Sequence, residues 1–341
     1  MPPAAPRPDT ELIATLEEAH YHPLWDRYKR ITPVQPAPRD TPMHWPWSGF
    51  EPFVARAAAE VPIEDVERRA IIMAHPAFGG ETVTTTNLIA AFTILEPGDH
   101  AVPHRHTASA IRFSTRAEGA VTIVNGRRCE MHEGDLVLTP PLCWHGHINE
   151  SAHRTVWFDA ANMPLVCGLD ASFFEPGRRD DGRFWKVDAG AEGNWTAAGM
   201  MPVGARPTVA HSPKYRYPGE DARRLLDGMS AAADGSKLMR YVNPLTAGPV
   251  MPMLDCYRLR LAGGAATAPQ RGTYNRVCLV VNGNGRSTVG GRTFEWARHD
   301  VFTIPHWTWA SHTALGGDAD VFIVSDYAVL EAMGLLREEM Q

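Results

Sequence analysis

Two histidines separated by a single residue, His104 and His106, restrict most strongly what this chain can fold into. Successive side chains of a β-strand alternate between its two faces, so both imidazoles would point the same way. A third imidazole, His145, follows a Gly134-Asp135 turn and could reach the same point from a neighbouring strand. The spacing therefore predicts a β-sheet protein with a metal ion on these three histidines. Neutral imidazole suits iron, copper, nickel or zinc, so the ligand type alone leaves the metal open.

Short β-rich runs surround the histidine pair. Between residues 83 and 159 they alternate with turn signals such as Gly98-Asp99 and Asn125-Gly126, as hairpins of a small sandwich or barrel require. The pattern predicts strands over 89–95, 109–114, 120–124, 135–139 and 154–159. It also predicts a second β-rich stretch over 239–324 and a final helix over 327–339.

The two β-rich stretches look like copies of each other. At a constant offset of 165 residues, six positions match: Gly98 and Gly263, Gly126 and Gly291, Asp135 and Asp300, Pro140 and Pro305, Trp144 and Trp309, His147 and His312. Such a run indicates an internal duplication. The three candidate ligands map onto Pro269, Arg271 and Ala310, and a one-residue shift replaces the first two by Gln270 and Gly272. We therefore expect a single metal ion per chain, in the N-terminal copy.

These patterns give a domain plan for the 341 residues. We expect a helical arm over 1–80, with helices near residues 10–22 and 50–69, and a metal-binding barrel over 81–175. A linker with one helix follows over 176–235, then a metal-free barrel over 236–326 and a C-terminal helix over 327–341. A chain of this length is large for a single core, which agrees with two barrels.

Composition excludes several classes of protein. Hydrophobic residues make up 44% and charged residues 21%, as in soluble globular proteins, and no apolar run approaches the roughly 20 residues of a membrane helix. The proline-rich N-terminus lacks the apolar core of a signal peptide, so we expect a cytoplasmic protein. A net charge of −6 without a basic stripe argues against a nucleic-acid partner. Five cysteines without a CxxC pair are expected to be reduced, buried thiols.

The spacing of the turns and histidines resembles the paired motifs of the cupin superfamily, here as a bicupin. Further motifs resemble the gentisate 1,2-dioxygenase family, which includes salicylate and 1-hydroxy-2-naphthoate dioxygenases: His104-Arg105-His106-Thr107, Ile111-Arg112-Phe113, Leu138-Thr139-Pro140, Trp144-His145-Gly146-His147 and Trp157-Phe158-Asp159. Weaker matches, from Pro23-Leu24-Trp25 to Ser325-Asp326-Tyr327, extend the resemblance over nearly the full length.

The resemblance implies a mainly β fold of two tandem jelly-roll barrels. It also implies one Fe(II) ion per chain on the three histidines, an aromatic carboxylate and O2 as the small-molecule partners, and a homotetramer or homodimer. Members of the family insert both atoms of O2 into an aromatic ring, between the carbon that carries the carboxyl group and its hydroxyl-bearing neighbour. Cupins commonly add a glutamate ligand four residues after the second histidine, but this chain has Ala110 there. We therefore expect an open face on the metal.

Two further residues are candidates for catalysis. Arg112 continues the period-two face of His104 and His106, so on a regular strand it would point into the same cavity and could pair with a substrate carboxylate. His147 shares a face with His145 and could donate a hydrogen bond to bound oxygen or accept the phenolic proton. A purely structural His147 is the rival interpretation, because its counterpart His312 persists in the metal-free copy.

Other candidates are more weakly supported. Asp159 could orient His147 or a ligand histidine, or could simply end a strand. Arg68, predicted in the helical arm, could contact the substrate. Ile89 and Thr93 occupy the places where family members often carry an aromatic residue and a glutamine, so we expect them to line the substrate pocket and to change which ring fits.

The first hypothesis is therefore an Fe(II)-dependent dioxygenase that cleaves the ring of gentisate or of a substituted salicylate such as 5-nitrosalicylate. Three alternatives stay open from the residues. They are a 1-hydroxy-2-naphthoate dioxygenase, a non-catalytic bicupin that binds a carboxylate, and a cupin isomerase or hydrolase with zinc or manganese.

Overall fold

The computed structural model describes residues 10–178, 203 and 209–341. Residues Met1–Ala37 form one compact unit and Pro38–Gln341 another. The first unit contains the helices Thr10–Glu18 and Leu24–Ile31, the second of which begins directly after Pro23. Among the described residues, no helix is both long enough and apolar enough to span a membrane.

Strands of the larger unit form two barrels, each made of a pair of antiparallel sheets. In the first barrel one sheet has the spatial order Arg216–Tyr217, Leu136–Thr139, Ala110–Arg116, Thr155–Ala161, Ile89–Leu95, Arg69–Ile72. The facing sheet has the order Phe174–Pro176, His100–His106, His145–Asn149, Ala120–Val124, Arg127–Met131.

The second barrel repeats this plan. One sheet has the order His44–Trp45, Val301–Ile304, Arg276–Asn282, Ala319–Ser325, Asp255–Leu261, Ser236–Arg240. The other has the order Arg292–Trp296, Gly285–Val289, Ala310–Ala314, Gln270–Gly272, Glu338–Met340.

Comparison of the strands supports the internal duplication. Ala120–Val124 and Gly285–Val289 are 165 residues apart, and so are Leu136–Thr139 and Val301–Ile304. The pair Ala110–Arg116 and Arg276–Asn282 is 166 residues apart, so the offset shifts by one residue within the copy. The predicted bicupin fold, mainly β with two tandem barrels, is confirmed.

The barrels pack against each other through apolar side chains that alternate with inward-facing ones. Phe113 of the first barrel stacks on Phe322 of the second with ring centroids 4.2 Å apart, and both are fully buried. Phe158 meets the same ring edge-on at 6.4 Å. Truncating a phenylalanine in such a core typically costs about 3–5 kcal/mol. Because Ile111 and Phe113 face this interface, the residue between them, Arg112, faces the interior of the first barrel.

Helices occupy the segments between and around the barrels. They are Trp47–Glu60, Met163–Gly168, Gly219–Gly228 and Tyr327–Ala332, with short 3-10 turns at Ile63–Asp65 and Pro76–Phe78. Gly219–Gly228 is the helix expected in the linker over 176–235, although residues 179–202 and 204–208 of that linker lie outside the described residues.

Three local expectations were wrong. The C-terminal helix ends at Ala332 rather than near residue 339, and Glu338–Met340 pair instead with Gln270–Gly272. Residue 69 does not end a helix but begins the strand Arg69–Ile72, so Arg68 lies directly before a strand. All five cysteines are free, as expected, but Cys167 is exposed rather than buried.

Candidate active site

Three histidines of the first barrel meet at one point. His104 and His106 lie on the strand His100–His106, and His145 begins the neighbouring strand His145–Asn149. His104 is the register partner of His145 across the two strands. One ring nitrogen from each of the three lies within 4.8 Å of the others, and all three side chains are buried. The ligand set expected from the spacing is therefore brought together by the fold.

The backbone fixes which nitrogen of each ring faces the shared point. Nδ1 lies 2.9 Å from a carbonyl oxygen in all three rings: Val102 for His104, Ala108 for His106 and Cys143 for His145. The Nδ1–H group donates to that carbonyl, so Nε2 keeps its lone pair for a metal ion. Nε2 of His145 is completely buried and has no hydrogen-bond partner. A buried acceptor of this kind fits a metal ligand and has no other evident use.

Burial keeps these imidazoles neutral. It lowers the pKa of His104 to about 2 and that of His106 to about 4, with the nearby positive charge of Arg68 as the next cause in each case. Burial also lowers the pKa of His145 well below its ordinary value. Neutral imidazole is the form that binds metals, so the site is ready for an ion at neutral pH.

Two contacts to His104 were not expected from the sequence. The carboxylate of Glu67 lies 3.1 Å from its Nδ1, and the ring of Phe174 stacks on its imidazole with centroids 5.3 Å apart. Phe174 reaches this place because Phe174–Pro176 adds an edge strand beside His100–His106. No spacing rule connects either residue to the histidines.

A cavity of about 220 Å³ opens beside the histidines. Its polar lining consists of His104, His106, Arg68, Arg112, Glu67 and Asp159. The remaining wall is apolar and includes Ile89, Met163 and Phe174, with several alanines. Ala110 lies in this wall at the place where cupins commonly carry a fourth ligand, so that side of the site stays open.

Arg112 reaches the cavity, but not for the expected reason. Its strand, Ala110–Arg116, belongs to the sheet opposite the one that carries His104 and His106, so no single strand face connects the three residues. Arg112 instead approaches the histidines from across the barrel, with only 1% of its surface exposed. Burial lowers the pKa of Arg112 to about 10, with an opposing effect from Asp159, so the guanidinium stays charged at neutral pH.

Several neighbours hold the Arg112 guanidinium. Nη1 donates to Thr139 Oγ1 at 2.6 Å, and Nε donates to His147 Nε2 at 3.1 Å. The Asp159 carboxylate lies 3.5 Å from Nε. Asp159 is itself fixed by Trp157 Nε1, at 3.0 Å, and by the hydroxyl of Thr93. Asp159 thus positions Arg112, and it lies within the strand Thr155–Ala161 rather than at a strand end. Asp159 has no hydrogen bond or ion pair with His147 or with a candidate ligand histidine.

His147 is placed differently from the acid–base group that the sequence suggested. It is fully buried and lines no part of the described cavity, with Nε2 accepting from Arg112 and Nδ1 2.9 Å from Thr122 Oγ1. In the second barrel Nδ1 of His312 lies 2.7 Å from Ser287 Oγ, and Ser287 is the counterpart of Thr122. The shared arrangement favours the structural interpretation of His147.

The remaining candidates divide between the cavity and its surroundings. Ile89 and Arg68 line it, and Nη1 of Arg68 is buried without a hydrogen-bond partner. Thr93 is fully buried behind Asp159 rather than in the cavity wall. The next residue, Arg69, is directed away from this role by its ion pair with Asp99.

The second barrel has lost the ligand set. Gln270 is the register partner of Ala310, as His104 is of His145, so the one-residue shift is the alignment that the strands follow. Within the described residues, His104, His106 and His145 form the one cluster of histidine, cysteine and acidic side chains that could hold a metal ion. Fold and site together define a bicupin whose N-terminal barrel carries three histidines that could hold a metal ion.

Comparisons with known proteins identify the family. The cupin domain family matches residues 91–161. Gentisate 1,2 dioxygenase 1 of Aquipseudomonas alcaligenes is 31% identical over 98% of this chain and 97% of its own length. The 5-aminosalicylate 1,2-dioxygenase of Comamonas sp is 34% identical over 97% of this chain and 90% of its own.

A solved structure has the same fold over nearly the whole length of this chain. A variant of salicylate 1,2-dioxygenase from Pseudoaminobacter salicylatoxidans, in complex with gentisate, matches with a TM-score of 0.90 at 31% identity, covering 99% of this chain and 97% of that one. The chain belongs to the gentisate 1,2-dioxygenase family. It is therefore an oxidoreductase of the ring-cleaving dioxygenase class, and the non-catalytic bicupin is set aside.

Proposed function

We propose that this protein is an Fe(II)-dependent dioxygenase that cleaves the ring of a 2-hydroxybenzoate between the carboxyl- and hydroxyl-bearing carbons, using O2. The observation that carries the proposal is the presence of a buried guanidinium, Arg112, in the same small cavity as two of the three candidate ligands. A substrate with a carboxylate beside a hydroxyl group could pair with the arginine and still reach the metal.

Iron suits the ligand set. Three neutral imidazoles without a carboxylate, and with Ala110 in place of a fourth ligand, leave room for both substrate and O2. When bound, the iron would supply a redox-active centre with open coordination positions, which oxygen chemistry of this kind needs. The side chains around the iron would bind and orient the substrate and exclude water.

Two guanidinium groups are available to the substrate carboxylate. Nε and Nη1 of Arg112 have partners in the protein, whereas Nη2 donates to none of the described residues. Nη1 of Arg68, on the same cavity, is buried without a partner. Arginine forms strong, directional hydrogen bonds to carboxylates, and burial strengthens them. We therefore assign Arg112 and Arg68 to carboxylate binding.

Other residues hold Arg112 or exclude water. His147, Thr139 and Asp159 fix the orientation of the guanidinium, so the carboxylate binds to a preorganised group. Ile89, Met163 and Phe174 cover the ring of the substrate with apolar surface. We assign His147 to positioning rather than to proton transfer, because both of its nitrogens are already engaged.

The substrate class is gentisate or a substituted salicylate such as 5-nitrosalicylate. A second candidate is 1-hydroxy-2-naphthoate, favoured by the small side chains Ala91, Ala110, Ala160 and Ala161 in the cavity wall, which leave width for a second ring. Both candidates share the carboxylate and the adjacent hydroxyl group.

Oxygen uptake by the anaerobically purified, Fe(II)-loaded protein tests the proposal. The substrates would be salicylate, 5-nitrosalicylate, gentisate and 1-hydroxy-2-naphthoate, with benzoate as the control that lacks the ortho hydroxyl. We expect uptake with at least one 2-hydroxybenzoate and none with benzoate. Absence of uptake with all of them, despite a filled metal site, would refute the assignment. Zinc- or manganese-loaded protein that isomerises or hydrolyses a substrate would support the other cupin chemistries instead.

A homotetramer or homodimer is proposed as the working assembly. Large apolar side chains are exposed beside the strand His100–His106, among them Leu142, with 48% of its surface accessible, and Phe173, with 49%. Exposed apolar surface of this kind is typical of subunit contacts. Light scattering coupled to size-exclusion chromatography tests this, and a monomer at all concentrations would contradict it. A cytoplasmic location stays a prediction from the sequence.

A further inference from the structure

The metal-free barrel also encloses a cavity, of about 480 Å³, larger than the one beside the histidines. It is bounded by the strands Ser236–Arg240, Asp255–Leu261, Ala319–Ser325 and Glu338–Met340. No residue of its lining takes part in the metal site of the first barrel. The cavity is therefore separate from the candidate metal site.

In the second barrel an arginine, Arg276, occupies the position that corresponds to Ala110 of the first barrel. Ala110 is the register partner of Thr139, and Arg276 is the partner of Ile304, which is the counterpart of Thr139. Arg276 thus replaces Ala110, while Gln270 and Gly272 replace the first two histidines. The second barrel has exchanged a metal site for a guanidinium group that lines the cavity.

Among the described residues, this guanidinium has no counter-ion. Arg276 is 6% exposed, its Nε is completely buried without a hydrogen-bond partner, and none of the described carboxylates pairs with it. Its contact is instead with the face of the Tyr274 ring, 5.3 Å from the centroid. Burying a charge without a partner is costly, so a site of this kind is stabilised by an anion.

A second polar group faces the same space. His312 lines the cavity, and its Nδ1 lies 2.7 Å from Ser287 Oγ. Ser287 Oγ accepts from Trp296 Nε1 at 2.8 Å and can donate its own proton to Nδ1, which leaves Nε2–H of His312 as a donor. Its Nε2 is not paired with any described residue. In the first barrel the corresponding nitrogen of His147 is occupied by Arg112, so only in the second barrel is it available to a ligand.

The rest of the lining defines the body of the ligand. Tyr257, Tyr274 and Tyr327 lie with Leu238, Leu259 and Ile323 around the cavity. Two carboxylates are also present, but Glu338 accepts from Tyr274 at 2.9 Å and Asp234 from the Ser236 amide at 2.9 Å. They would repel an anionic group from their own positions and leave Arg276 as its anchor.

We propose that the second barrel binds a small aromatic carboxylate, whose carboxylate pairs with Arg276 and hydrogen-bonds to His312 while its ring lies against the tyrosines. An open-chain carboxylate, such as the product of ring cleavage, shares the anionic group, but the aromatic lining favours a ring. The inference does not depend on the proposed reaction, because it uses none of the residues assigned to that reaction.

Calorimetric titration of the anaerobic, Fe(II)-loaded protein with benzoate, and separately with adipate, tests the site. We expect Arg276→Gln to weaken benzoate binding at least tenfold and Arg112→Gln to leave this site unchanged. Gln270→Glu, which adds a carboxylate to the lining of the same cavity, should weaken it by a similar factor. Tighter binding of adipate than of benzoate would overturn the aromatic assignment, and wild-type affinity in both second-barrel variants would overturn the site itself.

A crystal soaked with 4-iodobenzoate locates the ligand independently. The anomalous signal of iodine should appear inside the second-barrel cavity, beside the rings of Tyr257, Tyr274 and Tyr327. A signal confined to the cavity beside His104 would contradict the proposal. Because Gln270→Glu adds a negative charge to the cavity lining and removes no buried charge, it keeps the test decisive if Arg276→Gln fails to fold.

Discussion

The Nε atom of Arg112 donates a hydrogen bond to Nε2 of His147 across 3.1 Å, between the two sheets of the first barrel. This contact makes His147 a support of Arg112, the proposed carboxylate anchor, and occupies the nitrogen that a free base would need. His147→Gln should therefore leave the iron content unchanged and raise KM for a 2-hydroxybenzoate about tenfold, the effect of losing a hydrogen bond to a charged group worth about 1.5 kcal/mol.

The matched control is His312→Gln in the second barrel, which should leave KM for the ring-cleavage substrate unchanged. Iron content and KM come from metal analysis and steady-state oxygen uptake. A variant with normal KM but a lost acidic limb in its pH–rate profile would instead make His147 a general base.

Asp159 balances the buried charge of Arg112 from 3.5 Å. Asp159→Asn should lower the free energy of unfolding by about 3 kcal/mol, because removing one partner leaves a buried charge uncompensated. Urea denaturation measures this. Glu60→Gln is the control, since its pair with Arg56 is exposed and should not shift the midpoint. Equal stability of Asp159→Asn and wild type would show that Arg112 does not depend on Asp159.

Ile89 lies in the cavity wall, whereas Thr93, on the same strand, lies behind Asp159. Ile89→Ala should widen the cavity and raise kcat/KM for 1-hydroxy-2-naphthoate relative to salicylate by about tenfold, the typical effect of a change in apolar pocket size. Thr93→Ala should leave that ratio near its wild-type value. The ratio comes from competition between the two substrates, and a larger change with Thr93→Ala would reverse the assignment of the wall.

His299 gives a pH dependence of stability outside the metal site. Burial lowers its pKa to about 4, with Arg298 as the next cause, and its ring meets Trp47 edge-on at 5.2 Å. Well above pH 6.5 the ring is neutral in both the folded and the unfolded state, so His299 does not lower the free energy of unfolding there. As the pH falls towards 4, the unfolded chain takes up a proton that the folded one does not, at a cost of up to about 3 kcal/mol.

His299→Asn should flatten this dependence between pH 6.5 and 4. Asparagine tolerates the left-handed backbone at this position, where φ is 71°. Thermal unfolding of the wild type and the variant across this range measures the difference. Parallel curves would mean that His299 is charged in the folded protein.

The sequence predicted the histidine triad and the duplicated barrels because both depend on local periodicity. His104 and His106 share a strand face by the geometry of the backbone, and matching turns reveal a repeated fold at a fixed offset. Ile89–Leu95 and Ala120–Val124 also form strands with the predicted bounds. Where a feature is set within one strand or one turn, the sequence was sufficient.

Contacts between strands that are far apart in the sequence could not be predicted from it. The strand face of His104 and His106 does not continue to Arg112, because the chain turns at residues 107–109 and crosses to the opposite sheet. The partners of Arg112, Thr139 and Asp159, lie on the two strands that flank its own. Phe174 reaches His104 because its strand pairs with the edge of the strand His100–His106. The wrong C-terminal helix has the same origin, since Glu338–Met340 become a strand only through pairing with Gln270–Gly272.

The central claim, that this chain is a ring-cleaving dioxygenase working at His104, His106 and His145, is tested most directly with isotopic oxygen. Fe(II)-loaded protein would be given a 2-hydroxybenzoate under ¹⁸O2, with His145→Ala as the control, and the ring-opened product analysed by mass spectrometry. We expect two labelled atoms per product molecule from the wild type and no product from the variant. A product with one label or none, or equal turnover by His145→Ala, would contradict the account.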